Sequence, residues 1–217
     1  MNADFFDNWS SDMAYILGFI MADGNIRHKD YCKFQGYAVA INLQLKDKAI
    51  LDFIKDKIDT NATVNVYKWL GSDSIYREQC SLVITSRYIV EKLITLGVIP
   101  RKTGKESFPN MPKEFERDFI RGYFDGDGCI MITTQTCKGK KYPVYMFKIT
   151  CANKEFLEVI KDKIKYIKNN VRYHGGNCYI IETRNKKDIL QIRDYIYYND
   201  SVFSLQRKKD KFFLIGQ

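Results

Sequence analysis

Tyr15-Ile-Leu-Gly-Phe-Ile-Met-Ala-Asp-Gly-Asn-Ile26 returns 104 residues later as Phe119-Ile-Arg-Gly-Tyr-Phe-Asp-Gly-Asp-Gly-Cys-Ile130. A second echo follows: Phe53-Ile-Lys-Asp-Lys-Ile58 reappears as Val159-Ile-Lys-Asp-Lys-Ile164, 106 residues on. Two echoes in the same order, at nearly the same spacing, mark a duplication, and each copy reads as one structural unit. In the first stretch Ile16, Phe19 and Ile20 recur at helical spacing. Ser11 or Asp12 can cap the start of this helix, which runs to about Ala22, and Gly24 can close it.

Outward from this helix, strands are predicted near 26–34 and 37–45. In the latter Val39, Ile41, Leu43 and Leu45 alternate with Ala40, Asn42 and Gln44. Asp47 can cap a second helix to about Ile58. Strands near 62–70 and 75–84 lead to a third helix from about Ser86 to Leu96, closed by Gly97. The second unit follows suit with helix 114–125, strands near 129–136 and 143–152, helix 154–168, strands near 170–174 and 178–183, and helix 186–197. A last helix from about Ser204 can pack Phe212 and Phe213 on the body. The order α-β-β-α-β-β-α, twice, predicts an α+β fold with two four-stranded antiparallel sheets. Residues 1–99 form the first repeat and 114–217 the second. The segment 100–113, holding Pro100, Pro109 and Pro112, is the linker, because proline interrupts a helix.

The repeated helix carries small residues four apart, Gly18 and Ala22 in one copy, Gly122 and Gly126 in the other. Positions i and i+4 share a face, so each helix has a flat stripe. Glycine inside a helix costs roughly 0.5–1 kcal/mol relative to alanine, and close packing of two such stripes can offset that cost. An aspartate follows each stripe, Asp23 and Asp127. A helix C-terminus is already partly negative, so a carboxylate there is electrostatically misplaced. Two such helices side by side bring two misplaced carboxylates together, and a divalent cation between them is the simplest remedy. Hard oxygen donors with few protein ligands suit Mg²⁺, which keeps much of its water. Carboxylates and metal ions together make a phosphodiester-cleaving site. A lone Asp-Gly is usually only a turn or helix cap; two copies in the same setting are not.

The chain of 217 residues carries a formal charge of +9, with 45% hydrophobic and 28% charged residues. That is a globular balance with a basic surplus, which favours a polyanionic partner through release of counterions from phosphates. No apolar run is long enough for a membrane span, and Met1-Asn2-Ala3-Asp4 lacks the layout of a signal peptide. An intracellular protein, not a secreted one, is expected, in cytoplasm, nucleoid or an organelle matrix. The cysteines at 32, 80, 129, 137, 151 and 178 include no C-x-x-C, and His28 and His174 are the only histidines. Reduced, mostly buried thiols are expected rather than a disulfide framework or a zinc site.

Ile16-Leu-Gly-Phe-Ile-Met-Ala-Asp-Gly24 and Ile120-Arg-Gly-Tyr-Phe-Asp-Gly-Asp-Gly128 resemble the nine-residue signature of the single-chain, two-motif LAGLIDADG homing endonucleases. Ile41-Asn-Leu-Gln-Leu-Lys-Asp-Lys48, Leu96-Gly-Val-Ile-Pro-Arg-Lys102 and Leu205-Gln-Arg-Lys-Lys-Asp-Lys211 are similar to its flanks, so the resemblance covers nearly the whole chain. It implies a monomer with a pseudo-two-fold axis, both sheets saddling the DNA major groove, and site-specific hydrolysis of double-stranded DNA with short 3′ overhangs. Asp23 and Asp127 match the catalytic, metal-binding acids, and the Ala22 and Gly126 carbonyls would add ligands. Mg²⁺ is the implied metal, with Mn²⁺ as a substitute and Ca²⁺ expected to bind without supporting efficient cleavage. Departures are visible. The sixth motif position, often acidic, is Met21 in one copy and Asp125 in the other. The water-organising polar position falls on Asp47 and Asn153, and Arg184 and Lys186 are the candidates for a basic active-site residue. A LAGLIDADG-derived splicing maturase, with its own intron RNA as a candidate partner, or a non-cleaving DNA-binding regulator, is the alternative.

In the DNA-binding reading, Arg27, Lys29, Asn42 and Gln44 of the first hairpin face the groove. Thr133, Gln135, Lys148 and Thr150 do so in the second, with Lys138, Lys140 and Lys141 at its tip. Asn, Gln and Thr would discriminate bases, while Lys and Arg mostly position the backbone. Arg101-Lys102 and Arg207-Lys208-Lys209 are expected phosphate contacts. Unlike halves imply a long, asymmetric target.

Overall fold

The computed structural model describes all residues except 32–35, 72 and 216–217. Helix α1 (Ser11–Asp23) begins at Ser10, whose hydroxyl accepts from the Met13 amide at 3.1 Å. The cap lies one residue ahead of the predicted Ser11 because the Ser11 hydroxyl is drawn across the repeats to Asp118 Oδ1, 2.7 Å away. From Met13 through Met21 every residue of α1 is buried. A helix is apolar on all faces when it packs against both a sheet and another helix.

The first repeat continues through β1 (Gly24–His28), β2 (Tyr37–Gln44), α2 (Lys48–Lys57), β3 (Asn65–Leu70), β4 (Tyr76–Thr85) and α3 (Arg87–Thr95). The second consists of α4 (Glu116–Asp127), β5 (Gly128–Cys137), β6 (Lys140–Cys151), α5 (Lys154–Ile164), β7 (Arg172–Gly175), β8 (Cys178–Thr183) and α6 (Lys186–Ile196), with α7 (Gln206–Phe213) closing the described chain. Each repeat builds a four-stranded antiparallel sheet, in the orders β1-β2-β4-β3 and β5-β6-β8-β7. The duplication is thus reproduced strand for strand.

Several predicted boundaries shift; β3 begins at Asn65 rather than 62, and α4 runs from Glu116 to Asp127 rather than over 114–125. The first strand ends at His28, with a turn after it and part of its predicted length outside the described residues. Helix α5 stops at Ile164 rather than 168, because Lys165 turns left-handed with φ 63°. Gly24 does follow α1, but with φ −75° it is extended rather than a left-handed cap. The hairpin β5–β6 turns on Lys138 and Gly139, both at positive φ (48° and 74°), which suits a two-residue turn matched to strand twist.

The axis of the molecule is the pair α1 and α4. A Cβ placed on Gly18 would lie 2.0 Å from the Phe119 carbonyl oxygen, and one on Gly122 would lie 2.0 Å from that of Tyr15. These two contacts exchange under the duplication, as a two-fold interface requires. The backbones touch where the sequence predicts small residues. At the lower end of the stripe a Cβ on Gly126 would meet Ala22 Cβ at 2.3 Å. Cys80 and Cys151 are buried and no described cysteine is in a disulfide; Cys32 lies outside the described residues. No helix among the described residues is long and apolar enough to cross a membrane.

Candidate active site

Because α1 and α4 run in contact to their ends, the carboxylates that terminate them converge. A Cβ on Gly126 would also sit 3.1 Å from Asp23 Oδ2, so Asp23 leans on the last turn of α4, one residue from Asp127. Both aspartates stay open to solvent at the cleft. Desolvation, and then the Asp127 charge, push the Asp23 carboxyl up to about 6. Asp127 is also raised, first by desolvation, against the pull of Lys102, a Tyr123 hydrogen bond and Lys208. Like charges this close disfavour joint ionisation.

Lys102 and Lys208 supply the opposing charge. They are 106 residues apart, the spacing of the Lys-Asp-Lys-Ile echo. Lys208 donates to the carbonyls of Phe124, Asp125 and Gly126 at 2.8, 2.7 and 3.1 Å, capping the end of α4. Lys102 donates to the Gly24 carbonyl at 2.7 Å. An ammonium on the last carbonyls of a helix meets its partial negative charge. Burial lowers both lysines, Lys208 to about 8. The sequence reading placed both lysines at phosphates. Their shared spacing with the duplicated motif is the signal that would have put them at the acids. Arg184 and Lys186 are exposed; Lys186 lies over the Tyr145 ring, and neither is among the charges acting on Asp23 or Asp127.

The two predicted water-organising residues are occupied otherwise. Both oxygens of buried Asp47 accept from Arg207, Oδ1 from Nε and Oδ2 from Nη2, each at 2.7 Å. Asp47 therefore makes no cap bond to α2. Asn153 caps α5 through the Phe156 amide at 3.1 Å and donates to the Glu106 carbonyl at 3.0 Å. At the sixth motif position Met21 is core, whereas buried Asp125 accepts from the Tyr15 hydroxyl at 2.9 Å and the Leu205 amide at 2.7 Å. Asp125 thereby ties the segment before α7, and with it Lys208, to the motif helix. The Gly126 carbonyl, an expected metal ligand, accepts from Lys208 and retains a second lone pair.

The strands place the other predicted residues on two faces. Val39 and Ile41 point into the core, so Asn42 and Gln44 share the opposite, exposed face with Arg27. Register extends that face across the sheet: Asn42 opposite Ser81 and then Asn65, Gln44 opposite Gln79 and then Tyr67. The sequence reading missed Asn65, Tyr67, Gln79 and Ser81, although β4 alternates visibly. In the second repeat Thr133 and Gln135 pair with Val144 and Tyr142, on the same face as Lys140, Lys148 and Thr150. Lys138 is at the hairpin tip and Lys29 in the turn after β1, both exposed.

A duplicated α+β chain with an acidic pair at the meeting of its repeats and a polar sheet face on each side defines the class. Residues 120–213 match the family described as LAGLIDADG endonuclease. That stretch carries the second motif, and the first repeat carries the same motif at the same place in the fold. Among curated proteins none matches. Solved structures do. Meganuclease I-SmaMI bound to uncleaveable DNA has a TM-score of 0.62 at 12% identity, over 93% of this chain and 89% of that one. I-LtrWI bound to target DNA gives 0.62 at 14%, over 94% and 89%. I-GzeII in complex with its DNA target gives 0.61 at 16%, over 96% and 90%. At such identities the likeness establishes the fold.

The raised Asp23 carboxyl has a measurable consequence. Its fold-favoured form is protonated, so its stabilising contribution is full below the ordinary value of 3.8 and is lost as pH rises through about 6. The metal-free protein should lose melting temperature between about pH 4 and about pH 7, and Asp23→Asn should flatten that loss. Differential scanning calorimetry across this range checks it; a slope unchanged by the substitution would remove the account.

Proposed function

We propose that the chain is a site-specific endonuclease that hydrolyses both strands of a long, asymmetric DNA target with a divalent metal. The observation that carries this reading is the meeting of Asp23 and Asp127, one from each repeat, beside Lys102 and Lys208. The donor set fits Mg²⁺: two hard carboxylates crowded by their own repulsion and open to solvent. Among the described residues no third acid, His or Cys completes a closed cage. That suits an ion that holds on to most of its water. Asp23 and Asp127 would hold the metal, with the Ala22 and Gly126 carbonyls as further oxygen donors. When bound, the metal supplies Lewis acidity to the scissile phosphate and lowers the pKa of water.

This chain's own groups do the rest. The two carboxylates, at the axis between unlike halves, address one phosphate on each strand. The Lys102 and Lys208 ammoniums offset the negative charge that grows on the phosphate oxygens in the transition state, as charges fixed in place before the reaction do. Asn42, Gln44, Thr133, Gln135 and Thr150, with Gln79 and Ser81, present donors and acceptors for base edges. Arg27, Lys29, Lys138, Lys140 and Lys148 hold the duplex by its phosphates.

Selection for cleavage on a randomised double-stranded library with Mg²⁺ tests the reading. The expected product is one asymmetric site cut on both strands, with short 3′ overhangs and no cutting in EDTA. Tight DNA or RNA binding without nicking at any site would replace the endonuclease by the regulator or maturase.

A further inference from the structure

The two halves of the site obey the duplication in position but not in chemistry. Asp47 and Asn153 correspond, as do Arg101 and Arg207, and Lys102 and Lys208, each pair 106 residues apart. In one half, Arg207 on the first turn of α7 reaches across to the first repeat and grips both oxygens of Asp47 at 2.7 Å. The carboxylate is almost fully covered, with 9% of its side chain exposed, while the Arg207 side chain above it is 42% exposed. In the other half no such grip exists among the described residues. Asn153 is neutral and spends its amide on backbone, while Arg101 is exposed with a left-handed φ of 54°.

We propose that the Asp47–Arg207 clamp makes the two cleavage events unequal, by holding Lys208 in place and so giving the strand served by Lys208 its lead. The proposal rests on the endonuclease reading and concerns positioning residues, not groups that touch the phosphate. Arg207 precedes Lys208 in the chain, and a guanidinium bound at both ends of its fork cannot swing without breaking two hydrogen bonds. The α7 start is therefore fixed from two sides, by Asp47 of the first repeat and by Asp125, which accepts from the Leu205 amide. Lys208 reaches three carbonyls at the end of α4 from that base, whereas Lys102 makes one such bond and its neighbour Arg101 makes no matching clamp among the described residues. With all three donors engaged, Lys208 acts on the phosphate by charge alone, and a charge already fixed need not be ordered at the moment of reaction, so the Lys208 half starts ahead.

The test is strand-resolved cleavage of a selected target labelled differently on each strand, for the full chain and for Asp47→Asn, Arg207→Ala, Arg207→Lys and Lys208→Met. The wild-type protein should nick one strand first. Asp47→Asn and Arg207→Ala should each slow that strand about tenfold, with the other within about twofold, so that the order is lost. Arg207→Lys, a point charge without the fork, should restore part of the lead. Lys208→Met must slow the same strand. Metal-free melting of Asp47→Asn, Arg207→Ala and the double variant supplies a second readout, in which the two losses should be strongly non-additive. Equal strand rates in the wild type, equal slowing of both strands, slowing of the opposite strand by Lys208→Met, or an additive melting cycle would each overturn the proposal. A wild-type chain that cuts no DNA would instead fail the endonuclease reading and take the proposal with it.

Discussion

Replacing Asp127 by Asn should lower double-strand cleavage by at least about a thousandfold while leaving target affinity in Ca²⁺ within a few-fold. The carboxylate would contribute one of two anionic donors to the metal, and metal stabilisation of transition-state charge is worth several kcal/mol. About 4 kcal/mol corresponds to about a thousandfold in rate. Asn preserves size and one oxygen, so loss of activity would reflect charge rather than packing. The proposed base contacts lie on the sheets, away from the axis, so binding should persist. The same change should stabilise the metal-free protein, because it removes one of two crowded carboxylates whose pKa values are both raised. Asp23→Asn should behave alike. Opposite signs on stability and activity are what a strained functional site produces. Single-turnover cleavage and calorimetry on the same variants decide the matter. If Asp127→Asn cut at near wild-type rate, or lost affinity in step with cleavage, the assignment of the pair would fail.

The architecture was legible because a duplication constrains everything twice. Any one strand in this chain is an ordinary alternating run, but the same run at one spacing in both repeats fixes the number of strands in each sheet, while their order within it was not read. The close contact at Gly18 and Gly122 was legible too, since glycine in a helix interior has few other uses. The place of the two lysines beside the acids was not legible. Lys102 sits in a proline-bounded linker and Lys208 in a basic run, and local composition says only "phosphate contact" for each. Their place beside the acids depends on how the segment after each repeat folds back over the motif helix. For Lys208 that depends on Asp125 accepting from the Leu205 amide and Arg121 donating to the Phe203 carbonyl at 3.0 Å. Such long-range polar contacts leave no periodic trace. Asp47 misled for a related reason. A carboxylate before a helix reads as a cap, and a guanidinium 160 residues away took it instead.

Gly122→Ala should destabilise the protein by about 1–3 kcal/mol and slow cleavage by about a hundredfold, although alanine is the better helix former. In isolation the substitution would gain roughly 0.5–1 kcal/mol of helix propensity. Here the new Cβ would lie 2.0 Å from the Tyr15 carbonyl oxygen and 2.9 Å from the Phe19 amide nitrogen. Both are backbone atoms and cannot rotate away, so the helices must separate. Overpacking of this kind costs about 1–3 kcal/mol. The separation opens the α1–α4 contact along its length, moving Asp23 and Asp127 apart by a fraction of an ångström to about 1 Å. A displacement of that order in a catalytic constellation can cost about a hundredfold. Gly18→Ala should do the same from the other side, with its Cβ 2.0 Å from the Phe119 carbonyl oxygen. The double variant should cost less than the sum, because one separation relieves both clashes. Gly139→Ala is the contrast: its Cβ would meet nothing within 4 Å, so the strain of its positive φ should lower stability without altering cleavage per folded molecule. Urea unfolding paired with single-turnover rates separates the cases. A Gly122→Ala protein as stable and as fast as wild type would mean that the helices do not meet backbone to backbone, and the convergence of the two carboxylates would lose its cause.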